Sequence, residues 1–172
     1  MFTTDQKGAI AETAIVHTAT KLGIDVYRPV GEGGRYDMIF DLDKPTRVQC
    51  KWAPLHGEVV VVRCYSSRRT RGGLLKRVYE QGEIDAIAAY CPELDRSFYL
   101  PFEEFGRRTQ FQLRLGPTKN NQRQRLNWAE DFDFAARLQR LGAVAQLGER
   151  RRGTPKVTGS SPVGSITPQG AT

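Results

Sequence analysis

The sequence predicts an α/β fold in which a mixed central sheet is flanked by helices, and three observations indicate it. A long segment near the start has helical periodicity, short apolar segments of strand-like composition follow it, and turn signals separate those segments. The pattern ends near Leu141. We therefore expect a folded domain over residues 1–141 and a disordered tail over residues 142–172.

The first helix is expected from about Thr4 to Leu22. Thr4 or Asp5 would be its N-cap, and Gly23 follows the last turn as a stop signal. Apolar residues recur at helical spacing and form one face, which comprises Ala11, Ile15, Ala19 and Leu22. We expect this face to be the buried one.

Several later segments have the composition of strands and are expected to form a mostly consecutive sheet. They are Asp25–Pro29, Tyr36–Leu42, Thr46–Trp52, Val59–Cys64, Ile84–Cys91, Ser97–Leu100 and Thr109–Leu115. The turn signal Asp43-Lys44-Pro45 joins the second segment to the third and predicts a hairpin. A basic stretch, Arg68–Arg77, contains the flexible pair Gly72-Gly73, and Trp128–Leu141 is expected to be a terminal helix.

The tail has an unusual composition, rich in Gly, Ser, Pro and Thr. Val144–Arg150 resembles the peptide translated from the D-arm of a bacterial tRNA gene, and Gly159–Pro162 resembles that from a T-arm. We hypothesise that the reading frame runs through an adjacent tRNA gene. The alternative is an ordinary basic flexible tail, and the sequence of the encoding DNA distinguishes the two.

The net charge of the chain is +7, from 26 Lys and Arg against 19 Asp and Glu. This favours acidic partners such as nucleic acid, but +3 of it lies in the tail and +4 in residues 1–141. No apolar run approaches the ~20 residues that span a bilayer, and the start lacks a signal pattern. We therefore expect a cytoplasmic protein without a membrane partner.

The three cysteines, Cys50, Cys64 and Cys91, are widely spaced in apolar segments. That spacing fits neither a zinc site nor a disulfide framework. We expect them to be small buried side chains.

The residues that indicate chemistry lie between Gly31 and Trp52. Residues two apart in a strand face the same side, so Gln49 and Lys51 point together, and the hairpin would bring Asp37 beside them. The Asp37 carboxylate, the Gln49 amide oxygen and the main-chain carbonyl of Cys50 are hard oxygens of the kind that Mg²⁺ prefers. Lys51 could position a water and stabilise negative charge that develops on a phosphate.

Asp37 followed by Gln49-Cys50-Lys51 resembles the signature of PD-(D/E)xK nucleases, with Gln in the (D/E) place and Tyr36 in place of Pro. Glu12 matches the helical acid that many of these enzymes place beside the metal. Further segments resemble bacterial group I intron-associated homing endonucleases, a branch that also uses Gln here. These segments are Ile84–Ala86, Tyr90–Glu93, Tyr99–Pro101 and Asn127–Asp131. The resemblance covers about residues 5–134 and extends to archaeal Holliday-junction resolvases.

The resemblance implies a restriction-endonuclease-like core and hydrolysis of double-stranded DNA with Mg²⁺, for which Mn²⁺ could substitute. It implies catalytic roles for Glu12, Asp37, Gln49 and Lys51, and adds Glu12 to the metal ligands Asp37, Gln49 and the Cys50 carbonyl. Two strands must be cut and one chain carries one site, so a homo-oligomer is expected, a dimer or a tetramer. The expected function is a site-specific homing endonuclease.

Basic and amide side chains form two candidate DNA-contacting regions, and two further residues flank the site. Arginine pairs well with phosphate and guanine, and amides can read adenine. The candidates are Lys7, Arg35, Arg68, Arg69, Arg71, Lys119, Asn120, Asn121, Gln122, Arg123 and Arg125. A solvated loop is the alternative for each region.

Three alternatives to a homing endonuclease remain, and one of them is a structural or RNA-binding module, whose binding would not respond to Mg²⁺. A Holliday-junction resolvase would use the same chemistry on branched DNA. A degenerate protein that binds nucleic acid without cleaving it would explain Gln49 as a mark of lost catalysis.

Overall fold

A computed structural model describes residues 1–31, 33–117 and 126–141. The helix α1 spans Thr4–Lys21, as its periodicity predicts, and buries Ala11, Ile15 and Ala19. Its N-cap is Thr3 rather than Thr4 or Asp5, because Thr3 and Gln6 exchange side-chain hydrogen bonds with each other's backbone amides. Gly23, with φ of 79°, follows the last turn.

The strands of the described residues are short and follow most of the expected segments. In chain order they are β1 (Asp25–Tyr27), β2 (Met38–Asp41), β3 (Pro45–Trp52), β4 (Leu55–His56), β5 (Val59–Arg63), β6 (Tyr65–Thr70), β7 (Gly73–Val78), β8 (Ala86–Cys91), β9 (Arg96–Pro101) and β10 (Gln110–Arg114). A short helix, α2 (Phe102–Phe105), follows β9.

The central sheet is mixed, with strand order β1-β2-β3-β8-β9. The β2–β3 hairpin forms as predicted, whereas β3 and β8 pair in parallel. The expectation of a mostly consecutive sheet is therefore wrong at this point. Parallel neighbouring strands need a long crossover connection, and here the segment from β4 to β7 supplies it. In this segment, β4 and β5 belong to a second sheet of order β10-β5-β4, and β6 and β7 form a separate hairpin.

Two apolar clusters cover the two faces of the central sheet. One lies under α1 and the last helix and includes Ile15, Ala86 and Ala88. The other lies under the second sheet and includes Ile87 and Ala89. The central strand β8 is therefore buried on both faces, with small side chains toward α1.

The segment expected as one terminal helix is divided. A 3-10 helix spans Ala129–Phe132, and α3 spans Phe134–Arg140. Asp133 separates them because its carboxylate accepts from the amide of Ala136 at 3.2 Å and also pairs with Arg96 at 3.0 Å. An N-cap residue has non-helical dihedrals, which ends the first helix there.

The basic stretch Arg68–Arg77 forms most of the β6–β7 hairpin, whose strands pair from Tyr65↔Val78 to Thr70↔Gly73. Leu74 and Leu75 are exposed on it. All three cysteines are buried and unbridged, as expected. Within the described chain, no helix is both long and apolar enough to cross a membrane.

Candidate active site

The end of the β2–β3 hairpin places Asp37 against β3. The Asp37 amide donates to the carbonyl of Val48 at 3.0 Å, one residue beyond the Met38↔Val48 pair. The Asp37 carboxylate turns back onto β3, where Oδ2 accepts from the Cys50 amide at 2.8 Å. The sheet register alone therefore fixes this carboxylate beside Gln49 and Cys50.

Gln49 meets the same carboxylate with its amide nitrogen. Nε2 of Gln49 donates to Oδ2 of Asp37 and makes a longer contact, 3.4 Å, to the carbonyl of Cys50. The sequence suggested the Gln49 oxygen as a metal ligand, and that role stays a prediction. Without a metal, Gln49 acts as a donor that neutralises part of the Asp37 charge.

Glu12 reaches this site from α1. Its carboxyl group is partly buried, and this burial is the main cause that raises its pKa. The negative charge of Asp37 raises the pKa further, whereas the positive charge of Arg28 lowers it. Burial also raises the pKa of Asp37, against the Cys50 hydrogen bond and the charges of Lys51 and Arg28, which lower it. Two carboxylates therefore converge in a cleft that disfavours both of their charges.

Lys51 lies on the Gln49 side of β3 and is partly buried. Burial lowers the pKa of its ammonium group, and the nearby Asp37 charge opposes that effect. Its Nζ atom lies 5.3 Å from the centre of the Tyr79 ring. This contact supports a cation–π interaction, so Tyr79 helps to hold the amine toward Asp37.

Tyr79 is a site residue that the sequence signature did not indicate. It is fully buried, its ring also lies 4.6 Å from the Arg35 guanidinium, and its hydroxyl has no hydrogen-bond partner among the described residues. Nothing in its local pattern distinguishes it from an ordinary core tyrosine. Only the crossover through β7 brings it to Lys51.

Arg35, which the sequence suggested as a phosphate contact, makes several hydrogen bonds within the chain. Its guanidinium donates to Ser66 Oγ at 2.6 Å, to the Val78 carbonyl at 2.8 Å and to Glu83 at 2.8 Å. A phosphate would have to compete with these three partners. Two of these bonds connect Arg35 to the β6–β7 hairpin, and its contact with phosphate stays a prediction.

A cleft of about 840 Å³ contains the site. Glu12, Asp37, Gln49, Cys50 and Lys51 all line it, together with Lys7, Arg28 and Arg63. Lys7 lies 5.8 Å from the Trp52 ring, at the flank where the sequence placed it. The predicted catalytic residues are thus brought together around one open space.

The donor set of this cleft fits a hard divalent cation. Among the described residues, no three His, Cys, Asp or Glu side chains cluster as a metal site. Two carboxylates, Glu12 and Asp37, converge instead, beside the oxygens of Gln49 and Cys50. Mg²⁺ needs only one or two carboxylates because it keeps several waters, and a cation would offset the cost of burying both charges.

The remaining DNA-contact candidates are distributed differently. Arg71 lies exposed in the turn of the β6–β7 hairpin. The side chains of Arg68 and Arg69 lie outside what the structure describes, as do Lys119, Asn120, Asn121, Gln122, Arg123 and Arg125. Their roles stay predictions.

Comparisons with known proteins agree with this fold. The sequence model of a family described as PD-(D/E)XK endonuclease matches residues 2–135. A solved structure, described as a bacterial homing endonuclease, I-Ssp6803I, is similar with a TM-score of 0.62 and 24% identity, over 89% of this chain and 100% of that one. No curated protein matches the sequence.

Proposed function

The chain belongs to the PD-(D/E)XK endonuclease family, and from that premise we propose that it is a site-specific, double-strand DNA endonuclease of the homing type that uses Mg²⁺. Mn²⁺ would substitute for Mg²⁺. The observation that carries the proposal is the convergence of Glu12, Asp37, Gln49 and Lys51 in one cleft. The fold likeness to a bacterial homing endonuclease is in keeping with it.

The carboxylates would hold the metal, with Asp37 as the fixed ligand and Glu12 as its partner from α1. A bound Mg²⁺ would neutralise phosphate oxygens and acidify the attacking water. Asp37 is suited to this role because its Cys50 hydrogen bond fixes its orientation before any cation arrives. Gln49 and the Cys50 carbonyl would supply further oxygens.

Lys51 would stabilise the negative charge that develops on the scissile phosphate and orient the attacking water. Its partial burial excludes some of the competing solvent, which strengthens its interaction with an anion. The Tyr79 ring limits where the amine can move. The scissile phosphate would therefore lie next to Asp37, within reach of Lys51.

DNA would run past the cleft along the basic β6–β7 hairpin, whose two strands are narrow enough for a major groove. Each chain offers one site, so a homo-oligomer, dimer or tetramer, would cut both strands. We assign this activity to residues 1–141 and none to residues 142–172. Such an enzyme would work in the bacterial cytoplasm, on the nucleoid.

The test is cleavage of plasmid libraries, linear duplex and four-way junctions, with Mg²⁺ or with EDTA. Lys51→Ala should reduce cleavage at least about 100-fold while binding to duplex persists. Lys21→Ala, an exposed lysine at the end of α1 and outside the cleft, is the matched control. The proposal fails if the parent protein with Mg²⁺ cuts no substrate faster than Lys51→Ala does. Preference for junctions would instead indicate a resolvase.

One observation favours a second candidate, a protein that binds DNA without cleaving it. The Gln49–Asp37 hydrogen bond satisfies the acid without a metal. Under this alternative, binding to duplex would be indifferent to Mg²⁺ and to EDTA, and the cleavage test above would be negative.

A further inference from the structure

Arg28 is a cleft residue outside the nuclease signature. It follows β1, lines the cleft, and keeps 53% of its side chain exposed. Its Nη1 atom lies 3.3 Å from Oε2 of Glu12, whose side chain is 31% exposed. The partner of Arg28 is therefore the same carboxylate that the proposed metal would need.

Four charged side chains act on one another at this point. Glu12 and Asp37 are acidic, and Lys51 and Arg28 are basic, so their formal charges cancel. The guanidinium of Arg28 also lowers the pKa of both Glu12 and Asp37. With Gln49 uncharged, the site has no net negative charge to attract a cation.

A divalent cation and a guanidinium cannot both be the near neighbour of one carboxylate without repelling each other. We propose that Arg28 is a resident counter-ion of the metal site: it neutralises Glu12 in the metal-free protein, leaves Glu12 when a divalent cation binds, and then pairs with a DNA phosphate. This inference rests on the proposed function, and it adds a substrate-contacting residue to it.

The exchange links metal binding to DNA binding. A released guanidinium matches phosphate oxygens with its planar fork of donors, and its exposed position lets it turn toward the open cleft. DNA would therefore draw Arg28 away from Glu12 and strengthen metal binding, and the metal would strengthen DNA binding by the same factor. An ordinary surface ion pair would produce no such linkage.

The experiment measures Mn²⁺ binding directly, from the electron paramagnetic resonance signal of free Mn²⁺. It is done with and without a random-sequence DNA duplex, and the Mn²⁺ that the duplex alone binds is subtracted. Arg28→Gln should bind Mn²⁺ about two- to fivefold more tightly than the parent without DNA, the range expected for a partly exposed pair. Adding duplex should tighten Mn²⁺ binding by the parent, and by less for Arg28→Gln. Arg28→Lys, which keeps the charge, should stay near the parent.

Arg63→Gln is the matched control, because Arg63 lines the same cleft but is not the ion-pair partner of Glu12. It should change Mn²⁺ affinity less than Arg28→Gln does. Unchanged or weaker Mn²⁺ binding by folded Arg28→Gln would overturn the inference and leave the nuclease proposal standing. Absence of Mn²⁺ binding by the parent, with and without duplex, would overturn both.

Discussion

The side-chain amide of Gln49 and the Cys50 main-chain amide donate to the same oxygen of Asp37. Gln49 is thus a hydrogen-bond donor to Asp37, at the position where the family signature has Asp or Glu. A glutamate in its place could not donate, and its charge would repel Asp37 in the cleft.

Gln49→Glu should therefore destabilise the metal-free protein and tighten metal binding. We expect a loss of about 1–3 kcal/mol in the free energy of unfolding in EDTA, because a buried hydrogen bond becomes a like-charge contact. Urea unfolding with EDTA and then with Mg²⁺ measures both effects. Gln112→Glu, on the exposed side of β10, controls for the added charge. Equal losses in the two variants would contradict this account of Gln49.

The Asp37 carboxyl should make stability depend on pH. Its pKa is raised in the folded state, so the folded protein holds the proton more tightly and stability falls as the pH rises through the raised pKa. This loss of stability is absent below the ordinary pKa of aspartate, and it is complete above the raised pKa of Asp37. In EDTA, the unfolding free energy of Asp37→Asn relative to the parent should therefore improve as the pH rises from about 4 through the raised pKa of Asp37. Asp41→Asn, at the far end of β2, is the comparison, and Mg²⁺ should stabilise the parent and Asp41→Asn but not Asp37→Asn.

Arg35 and Glu83 should act as one unit. Their ion pair is largely shielded from solvent and is part of a set of hydrogen bonds that reaches the hairpin. Arg35→Lys keeps the positive charge but loses the planar set of guanidinium donors, and Glu83→Gln loses the negative charge. Each substitution should therefore lower the free energy of unfolding by about 1–2 kcal/mol. The double variant should cost clearly less than the sum, measured by a double-mutant cycle. Strict additivity would rule out the coupling.

Asp85 should stabilise the start of the parallel β3–β8 pair in a pH-dependent way. Its two oxygens accept from the Arg47 guanidinium at 3.0 Å, and the Arg47 amide donates to it at 2.8 Å. The Arg47 side-chain hydrogen bond lowers the pKa of Asp85 most, so the stabilisation is present above the ordinary pKa and lost as the pH falls through the lowered one. Asp85→Asn should cost up to about 1 kcal/mol near pH 7, since both side chains are about a third exposed. Thermal unfolding from pH 7 to pH 2 should show the gap to the parent closing.

The parts of the fold that local sequence determines were predictable. The turn at Asp43-Lys44-Pro45 and the alternation in β3 fix the β2–β3 hairpin, and that hairpin alone brings Asp37 to Gln49. The register of a two-stranded pair depends on few residues. The core of the candidate site therefore follows from one short segment and one helix.

Other parts depend on contacts between distant segments. Tyr79 reaches Lys51 only through the crossover, and Arg28 meets Glu12 from a different element. The β6–β7 hairpin has arginines and glycines where strands usually have β-branched residues, so its pairing gave no local signal. Asp133 does carry a local signal, because an aspartate before a helical segment is a frequent N-cap. That signal predicts a helix start at Asp133 and therefore a division of the terminal helix.

The alanines of β8 have a consequence for the distance between the two carboxylates. Ala86 and Ala88 lie in the cluster under α1, so the helix rests on the smallest available side chains. α1 carries Glu12, whereas Asp37 lies next to β2 of the sheet, so the thickness of this layer affects the distance between the two carboxylates. Exchange of Ala88 for valine would thicken the layer between helix and sheet and widen the gap that the proposed cation would fill. Metal size preference could therefore drift during evolution while every residue of the signature stays the same.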